Sequence, residues 1–332
     1  MAYPIDEKFV IAVSASALFD TSEEEKVFEE RGLEAYKKFQ KENENKIYGK
    51  GQAFDFISRF LGINDFLKEE KPAEVVLFTR NSLDIGGRLM KSIQKYGLNI
   101  ERTCFSSGDF LYDYLPSFNA CLFLSCNEEH THAALKAGYA AGTVLRKDQT
   151  DEIQSTTDNS VEFAFDFDGV LANDEAEKRY RDNNRQLDTY LQNESKDAYI
   201  PLGEGPLKPL MEQIAKLQKI EEEKFRKDKT YKKIIKTALI TARNAPADLR
   251  VHTTLKELGI KMDMAFFMGG VDKSRVINIM RPQIFFDDDI RNLENLSNVV
   301  AVHVPYGVVY EEQVKQNNVE IKEKTSTRKQ RV

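Results

Sequence analysis

The sequence is short of cysteine, of proline and glycine, of long apolar runs and of surplus positive charge, and each shortage removes a class of protein. Its 332 residues include three cysteines, Cys104, Cys121 and Cys126, an odd number without paired spacing. That is no disulfide framework, and a reduced, cytoplasmic protein is the simplest reading. Glycine (17) and proline (9) are too few for a fibrous or disordered chain. No segment approaches the roughly 18 consecutive apolar residues of a membrane span. The opening MAYPIDEKFV lacks the basic-then-apolar form of a secretory signal. Lysine and arginine number 48 against 54 aspartates and glutamates, a net charge of −6, so no nucleic-acid polymer is expected as a partner.

What is present is a chain long enough for about two domains, 41% hydrophobic and able to bury a core. Short apolar runs at 9–13, 75–78, 121–124, 161–165, 238–240, 284–286 and 299–304 read as buried strands, each followed by polar or small residues and a helix-like stretch. Buried strands alternating with helices predict a parallel sheet in an α/β fold. Between 210 and 236, Leu210, Ile214, Leu217 and Ile220 mark one face of an amphipathic helix whose charges form a solvated face. The tail from about residue 311 to 332 has few apolar residues and is expected to fray.

The chain also resembles itself. TRNSLDIGGRLMKSIQKYGLNIERTCFSSG, from Thr79, aligns without a gap with TARNAPADLRVHTTLKELGIKMDMAFFMGG, from Thr241. Arg88 meets Arg250, Gly97 meets Gly259 and Gly108 meets Gly270; the same register carries 121–124 onto 283–286. Upstream, IAVSASALF from Ile11 matches AFDFDGVL from Ala164. Two halves of one α/β topology follow, about 1–150 and 151–310.

The chemistry concentrates in the second half. Phe165-Asp166-Phe167-Asp168-Gly169 is a strand running into Asp-x-Asp and a glycine turn. Alternation puts Asp166 and Asp168 on one side of the extended backbone. In parallel sheets, ligands sit at the carboxyl ends of strands. Two close carboxylates need a cation or a shared proton, and Mg²⁺, with its preference for oxygen ligands, is the natural cation. Further along come Leu239-Ile240-Thr241-Ala242-Arg243, then Lys273-Ser274 after a glycine turn, then Ile284-Phe285-Phe286-Asp287-Asp288-Asp289. MGGVDKS is not a P-loop, because Asp272 stands where glycine must precede Lys-Ser. His130 and His132 have no third ligand at zinc spacing.

The ordered set Asp-x-Asp, Thr, Lys, Asp-Asp resembles the haloacid dehalogenase superfamily of phosphohydrolases. FDFDGVLANDEAE, LITARNAPADLRV, LGIKMDMAFFMGGVDKS, RPQIFFDDD and AVHVPYG, with IAVSASALFD and FLSCNEEHTHAALKAGYAAGTVL in the first half, narrow it to a resemblance to the cytosolic 5′-nucleotidase I family over about residues 8–310. The resemblance implies a Rossmann-like parallel sheet with a helical cap inserted at about 174–236; the internal repeat adds the expectation of a degenerate copy of the same topology before it. It implies Mg²⁺-dependent hydrolysis of nucleoside 5′-monophosphates, with Asp166 as nucleophile and Asp168 as general acid–base. Thr241 and Lys273 would bind phosphate, and Asp166, Asp168 (through its backbone carbonyl), and Asp287 or Asp288 would hold Mg²⁺. Arg243 lies two residues from Thr241, as a phosphate contact or a surface salt bridge. The family pattern breaks at Ala172-Asn173, which marks Asn173 as a candidate substrate contact. Tyr180, Tyr190 and Tyr199 in the insertion are available to stack on a base. A homo-oligomer and an ADP or ATP effector are compatible with the resemblance. In the first half Ser14, Ser16, Leu111, Ser125 and Cys126 replace Asp166, Asp168, Lys273, Asp287 and Asp288, so that half is expected to be catalytically dead. A phosphatase for another small phosphomonoester, and a nucleotide-binding regulatory protein, are the rival expectations.

Overall fold

The computed structural model describes residues 3–109, 112–147 and 159–316. In chain order the first half runs β1 (Phe9–Ser14), α1 (Ala15–Leu18), β2 (Phe19–Asp20), α2 (Ser22–Glu42), β3 (Gly49–Lys50), α3 (Phe54–Phe66), β4 (Ala73–Thr79), α4 (Gly87–Lys95), β5 (Arg102–Phe105), β6 (Ala120–Ser125), α5 (Glu128–Lys136) and β7 (Ala141–Val144). The second runs β8 (Val161–Phe165), α6 (Glu175–Asp182), α7 (Leu187–Lys196), α8 (Lys208–Lys227), β9 (Ile235–Thr241), α9 (Asp248–Glu257), β10 (Met264–Phe267), α10 (Ser274–Met280), β11 (Ile284–Asp287) and β12 (Val300–His303). A further helix covers 307–316. The start of the tail is therefore helical, and residues 317–332 lie outside the described residues, as does the expected boundary at 150/151.

Strands β2 and β3 pair only with each other; the rest form one ten-stranded sheet in the order β10-β9-β8-β11-β12-β7-β6-β1-β4-β5. The strands read as runs because helices cover both faces: β1, β4, β8 and β11 are buried almost throughout. Every adjacent pair is parallel except β7 with β12, where Val144 faces Val302 and Thr143 faces His303. At that seam Gly142 is required for space, since a Cβ there would sit 2.2 Å from the Val302 side chain. Outward from the seam each side has the same strand order, β7-β6-β1-β4-β5 on one and β12-β11-β8-β9-β10 on the other. The largest core cluster is common to both sides. Phe163 of β8 meets Phe56 of α3 edge-on at 5.7 Å and stacks with Phe9 of β1 at 6.4 Å.

Three strands of the large sheet depart from the expected set, besides the short β2–β3 pair. β5 and β10 are the edge strands, and their residues are half-buried or exposed, so RTCF and MAFF carry no buried-strand pattern. β7, AGTV, is too small in its side chains to read as an apolar run. The helix expected over 210–236 begins at Lys208 and ends at Lys227, with the chain then entering β9. Its apolar face is as read: Leu210, Ile214 and Leu217 are buried. It packs on β6 and β9, so of the insertion α6 and α7 are the helices that approach the end of β9 and α9. Among the described residues no helix is long and apolar enough to cross a membrane.

Candidate active site

Three strand ends of the second half converge. β8 delivers Asp166, β11 delivers Asp287 and Asp288, and oxygens of the three carboxylates lie within 4.8 Å of one another, all buried. Among the described residues this is the one such group of acidic, histidine or cysteine ligands. Lys273, entering α10, is buried between two of them, its Nζ 2.9 Å from Asp166 Oδ1 and 2.8 Å from Asp287 Oδ2. Three carboxylates against one ammonium leave two negative charges in a dry site. Burial pushes the Asp166 carboxyl up to about 7, against the pull of Lys273 and with the help of Asp287. Burial, then Asp287 and Asp166, raise the Asp288 carboxyl well above the usual range. Burial acts downward on the Lys273 ammonium, but Asp166 and Asp287 outweigh it and hold the ammonium up.

Asp287 and Asp288 differ in their partners. Asp287 Oδ1 accepts from the Asp289 backbone N–H at 2.9 Å and from Asn292 Nδ2 at 3.0 Å, while Oδ2 takes Lys273. Among the described residues no hydrogen-bond donor reaches the Asp288 carboxylate. It lies instead against Gly169, where an added Cβ would come within 2.5 Å of Asp288 Oδ2. A buried carboxylate without donors, beside two others, is a donor set for a hard divalent cation. The Asp288 carbonyl oxygen accepts from His303 Nε2 at 3.1 Å, and His303 Nδ1 faces Glu128 of the first half at 3.5 Å.

The Asp168 side chain is not part of this cluster. Both its oxygens accept from Arg243, Oδ2 from Nε and Oδ1 from Nη2, each at 2.8 Å. A two-pronged guanidinium bond fixes a carboxylate in plane and direction, so any metal contact expected of Asp168 is left to its backbone. Arg243 is thus neither a surface salt bridge nor a free phosphate ligand: it is 4% exposed. Its Nη1 donates to Glu194 of α7, and its guanidinium lies 5.1 Å from the Phe167 ring centroid. Thr241, 1% exposed at the end of β9, accepts from the Arg243 backbone N–H at 3.3 Å and keeps a hydroxyl proton to give. Asn173 serves its own loop, its Oδ1 accepting from the Glu175 backbone N–H at 3.3 Å.

Of the three tyrosines, Tyr190 faces the site, with the Arg243 guanidinium 5.8 Å from its ring centroid. Tyr180 packs edge-on against Tyr190 at 5.4 Å. Tyr199 is 86% exposed. Of the histidines, His132 bonds the Pro305 carbonyl oxygen at 3.1 Å and lies 4.6 Å from the Tyr310 ring, which is packing rather than metal ligation.

Sequence reasoning did not find Glu194, Arg250, Asn292 or His303. Glu194 and Arg250 meet only through the fold, and a glutamate four residues after Tyr190 in a polar helix carries no local signal. Asn292 had one, standing one short turn beyond the Asp-Asp-Asp run.

The buried carboxylates, the lysine and the hydroxyl thus meet at the strand ends of a parallel sheet, where such folds bind ligands. The chain belongs to the 5′-nucleotidase family, whose model matches residues 1–311. It is similar to human cytosolic 5′-nucleotidase 1B, with 33% identity over 298 residues, 88% of this chain and 48% of that protein. The chain therefore spans about half the length of this relative. No solved structure matches it.

Proposed function

We propose that this chain is a Mg²⁺-dependent 5′-nucleotidase, hydrolysing nucleoside 5′-monophosphates of the AMP and IMP type to nucleoside and phosphate. The observation that carries the reading is the buried trio Asp166, Asp287 and Asp288, offset by Lys273 alone. The two uncompensated charges match one divalent cation, and the oxygen donors match Mg²⁺. Asp166 and Asp288 would hold it directly, since Asp287 is already engaged by Lys273 and Asn292. When bound, Mg²⁺ would screen the phosphate dianion and polarise its oxygens.

The protein's own groups supply the rest. Lys273 and the Thr241 hydroxyl bind and orient phosphate oxygens. An ionised Asp166 oxygen attacks phosphorus as the bond to the 5′-oxygen breaks, leaving an aspartyl-phosphate. Asp168 gives a proton to the departing oxygen and later takes one from the water that cleaves the intermediate. The α6–α7 arm sits beside this crevice and would exclude water from it. The cytosolic relative and the three free cysteines support a cytoplasmic setting.

The first half is read as a non-catalytic copy. The matching strand order supports this, and so do its turns: Thr79 Oγ1 accepts from the Asn81 backbone N–H at 3.2 Å as Thr241 does from Arg243, and Ser125 Oγ accepts from Asn127 at 3.1 Å as Asp287 does from Asp289. Where Asp166 and Asp168 stand in the second half, the first has Ser14 and Ser16, whose hydroxyls pair at 3.0 Å.

The test is phosphate release from a panel of nucleoside 5′-monophosphates, 3′-monophosphates and sugar phosphates, with Mg²⁺, with EDTA and with Asp166→Asn. Release confined to 5′-monophosphates, abolished by EDTA and by the variant, is expected. Release from sugar phosphates alone would overturn the substrate, and release that survives Asp166→Asn would overturn the mechanism.

A further inference from the structure

A second buried ionic network lies one residue away from the reacting groups. Glu194 of α7 is 1% exposed at its side chain and takes two guanidinium groups, Arg243 Nη1 on one side and Arg250 Nη1 at 2.8 Å on the other. Arg250, on α9, also reaches Glu175 of α6 at 3.2 Å and the Ile200 carbonyl oxygen at 2.9 Å. Arg243 in turn presents its remaining edge, Nε and Nη2, to Asp168. A guanidinium is planar and its N–H bonds form a fixed fork. With Nη1 anchored on Glu194, the direction in which Nε and Nη2 point is set, and the plane of the Asp168 carboxylate with it.

Neither carboxylate is needed to neutralise the other arginine for its own sake. Arg250 has Glu175, and Arg243 has Asp168. Burying a further carboxylate is costly unless geometry repays it, and what Glu194 adds is a rigid link from the inserted helices to Asp168. We propose that Glu194 is a positioning residue for the reaction: held in α7 and acting through Arg243, it orients Asp168 for proton delivery to the leaving 5′-oxygen, so that the general acid–base is aligned only while the α6–α7 arm is docked. The inference rests on the reading of Asp168 as acid–base given above.

The step it governs is the first one. A bond forms between an Asp166 oxygen and phosphorus, the bond from phosphorus to the 5′-oxygen breaks, and the proton of Asp168 ends on that oxygen. If the bridging atom is sulfur, the thiolate departs without a proton and the alignment of Asp168 ceases to matter. The experiment therefore compares single-turnover nucleoside release from the 5′-monophosphate the wild type hydrolyses fastest with release from its 5′-S-bridged phosphorothiolate. Asp168→Asn sets the scale, since a general acid contributes about 10²-fold or more. Glu194→Gln is expected to slow the oxygen-bridged substrate by about 30-fold or more and the sulfur-bridged one by less than about threefold, a fraction of the acid's full effect. Glu194→Asp, with its charge kept and its reach shortened, is expected to recover part of the oxygen-bridged rate, and it carries the same test at smaller amplitude should Glu194→Gln not fold. Equal slowing of both substrates would reduce Glu194 to a structural role and overturn the inference, as would no slowing of either. A wild type inert on both substrates would remove the hydrolase reading and this inference with it; an active wild type with equal slowing in the variant would remove the inference alone.

Discussion

Replacing Asp288 by asparagine is expected to stabilise the protein without metal and to weaken its hold on Mg²⁺. Asp288 is buried, has no donor among the described residues, and faces two carboxylates whose oxygens lie within 4.8 Å. At an effective dielectric of about 20, two unit charges at that distance repel by about 3–4 kcal/mol. Lys273 offsets one of the two repulsions, so one such pair remains. The upward shift of the Asp288 carboxyl, caused by burial and then by Asp287 and Asp166, relieves part of it, leaving about 1–3 kcal/mol to be gained. With an unfolding entropy of about 2 cal/mol/K per residue, this is a rise in Tm of about 1.5–4.5 °C. The native carboxyl ionises at higher pH than the unfolded one, so its contribution falls as pH rises. The advantage of Asp288→Asn should therefore widen as pH rises above the unfolded carboxyl's usual range, about 4. The assay is thermal melting in EDTA and in saturating MgCl₂. In MgCl₂ the order should invert, because the wild type gains binding free energy that the variant has lost. A variant melting at or below the wild type in EDTA would refute the charge argument, and one stabilised by Mg²⁺ as strongly as the wild type would refute the assignment of Asp288 as a ligand.

Gly169→Ala should cost more than Gly270→Ala, although both glycines have positive φ, at +71° and +82°. Only at Gly169 does the new methyl strike Asp288, so the excess, about 1–2 kcal/mol in melting experiments, should come with weakened Mg²⁺ binding; equal costs and unchanged Mg²⁺ affinity would contradict the contact. In the first half, burial pushes the Glu24 carboxyl up to about 7, outweighing the Tyr48 hydroxyl at 2.8 Å and Arg88 at 3.1 Å. The unfolded group ionises near 4.5, so stability should fall by about 1–3 kcal/mol as pH rises from about 4.5 to about 7. Glu24→Gln should match the wild type near pH 5 and lack this slope in urea titrations; a slope that survives assigns it to another group.

How much of this could be read from the sequence depended on burial. Strands in the middle of the sheet, such as 161–165, announce themselves because both faces are covered and nearly every residue must be apolar. Edge strands β5 and β10 obey no such demand, and β7 was set by the need for Gly142 at a close approach rather than by hydrophobicity. The same division holds in the site. Asp166, Thr241, Lys273, Asp287 and Asp288 are delivered by strand ends or adjoining turns and could be named from order and spacing. The fate of the Asp168 side chain could not, because it depends on Arg243 from another strand end and Glu194 from a helix with no local signature. Pairing of long polar side chains across the fold leaves no period in the sequence, whereas backbone geometry does.

The antiparallel seam between β7 and β12 has a consequence for what the first half can be. Take that half away, and β12 becomes a bare edge inviting other chains to pair with it. Phe163 loses Phe9 and Phe56, and His303, which steadies the backbone beside Asp288, loses Glu128. The first half is thus bound to the second by folding rather than by chemistry. Read as non-catalytic, that half could change the side chains at its own strand ends, but it is not free to leave. A new property would find room there, on strands whose scaffold is guaranteed by the neighbouring half's need for it.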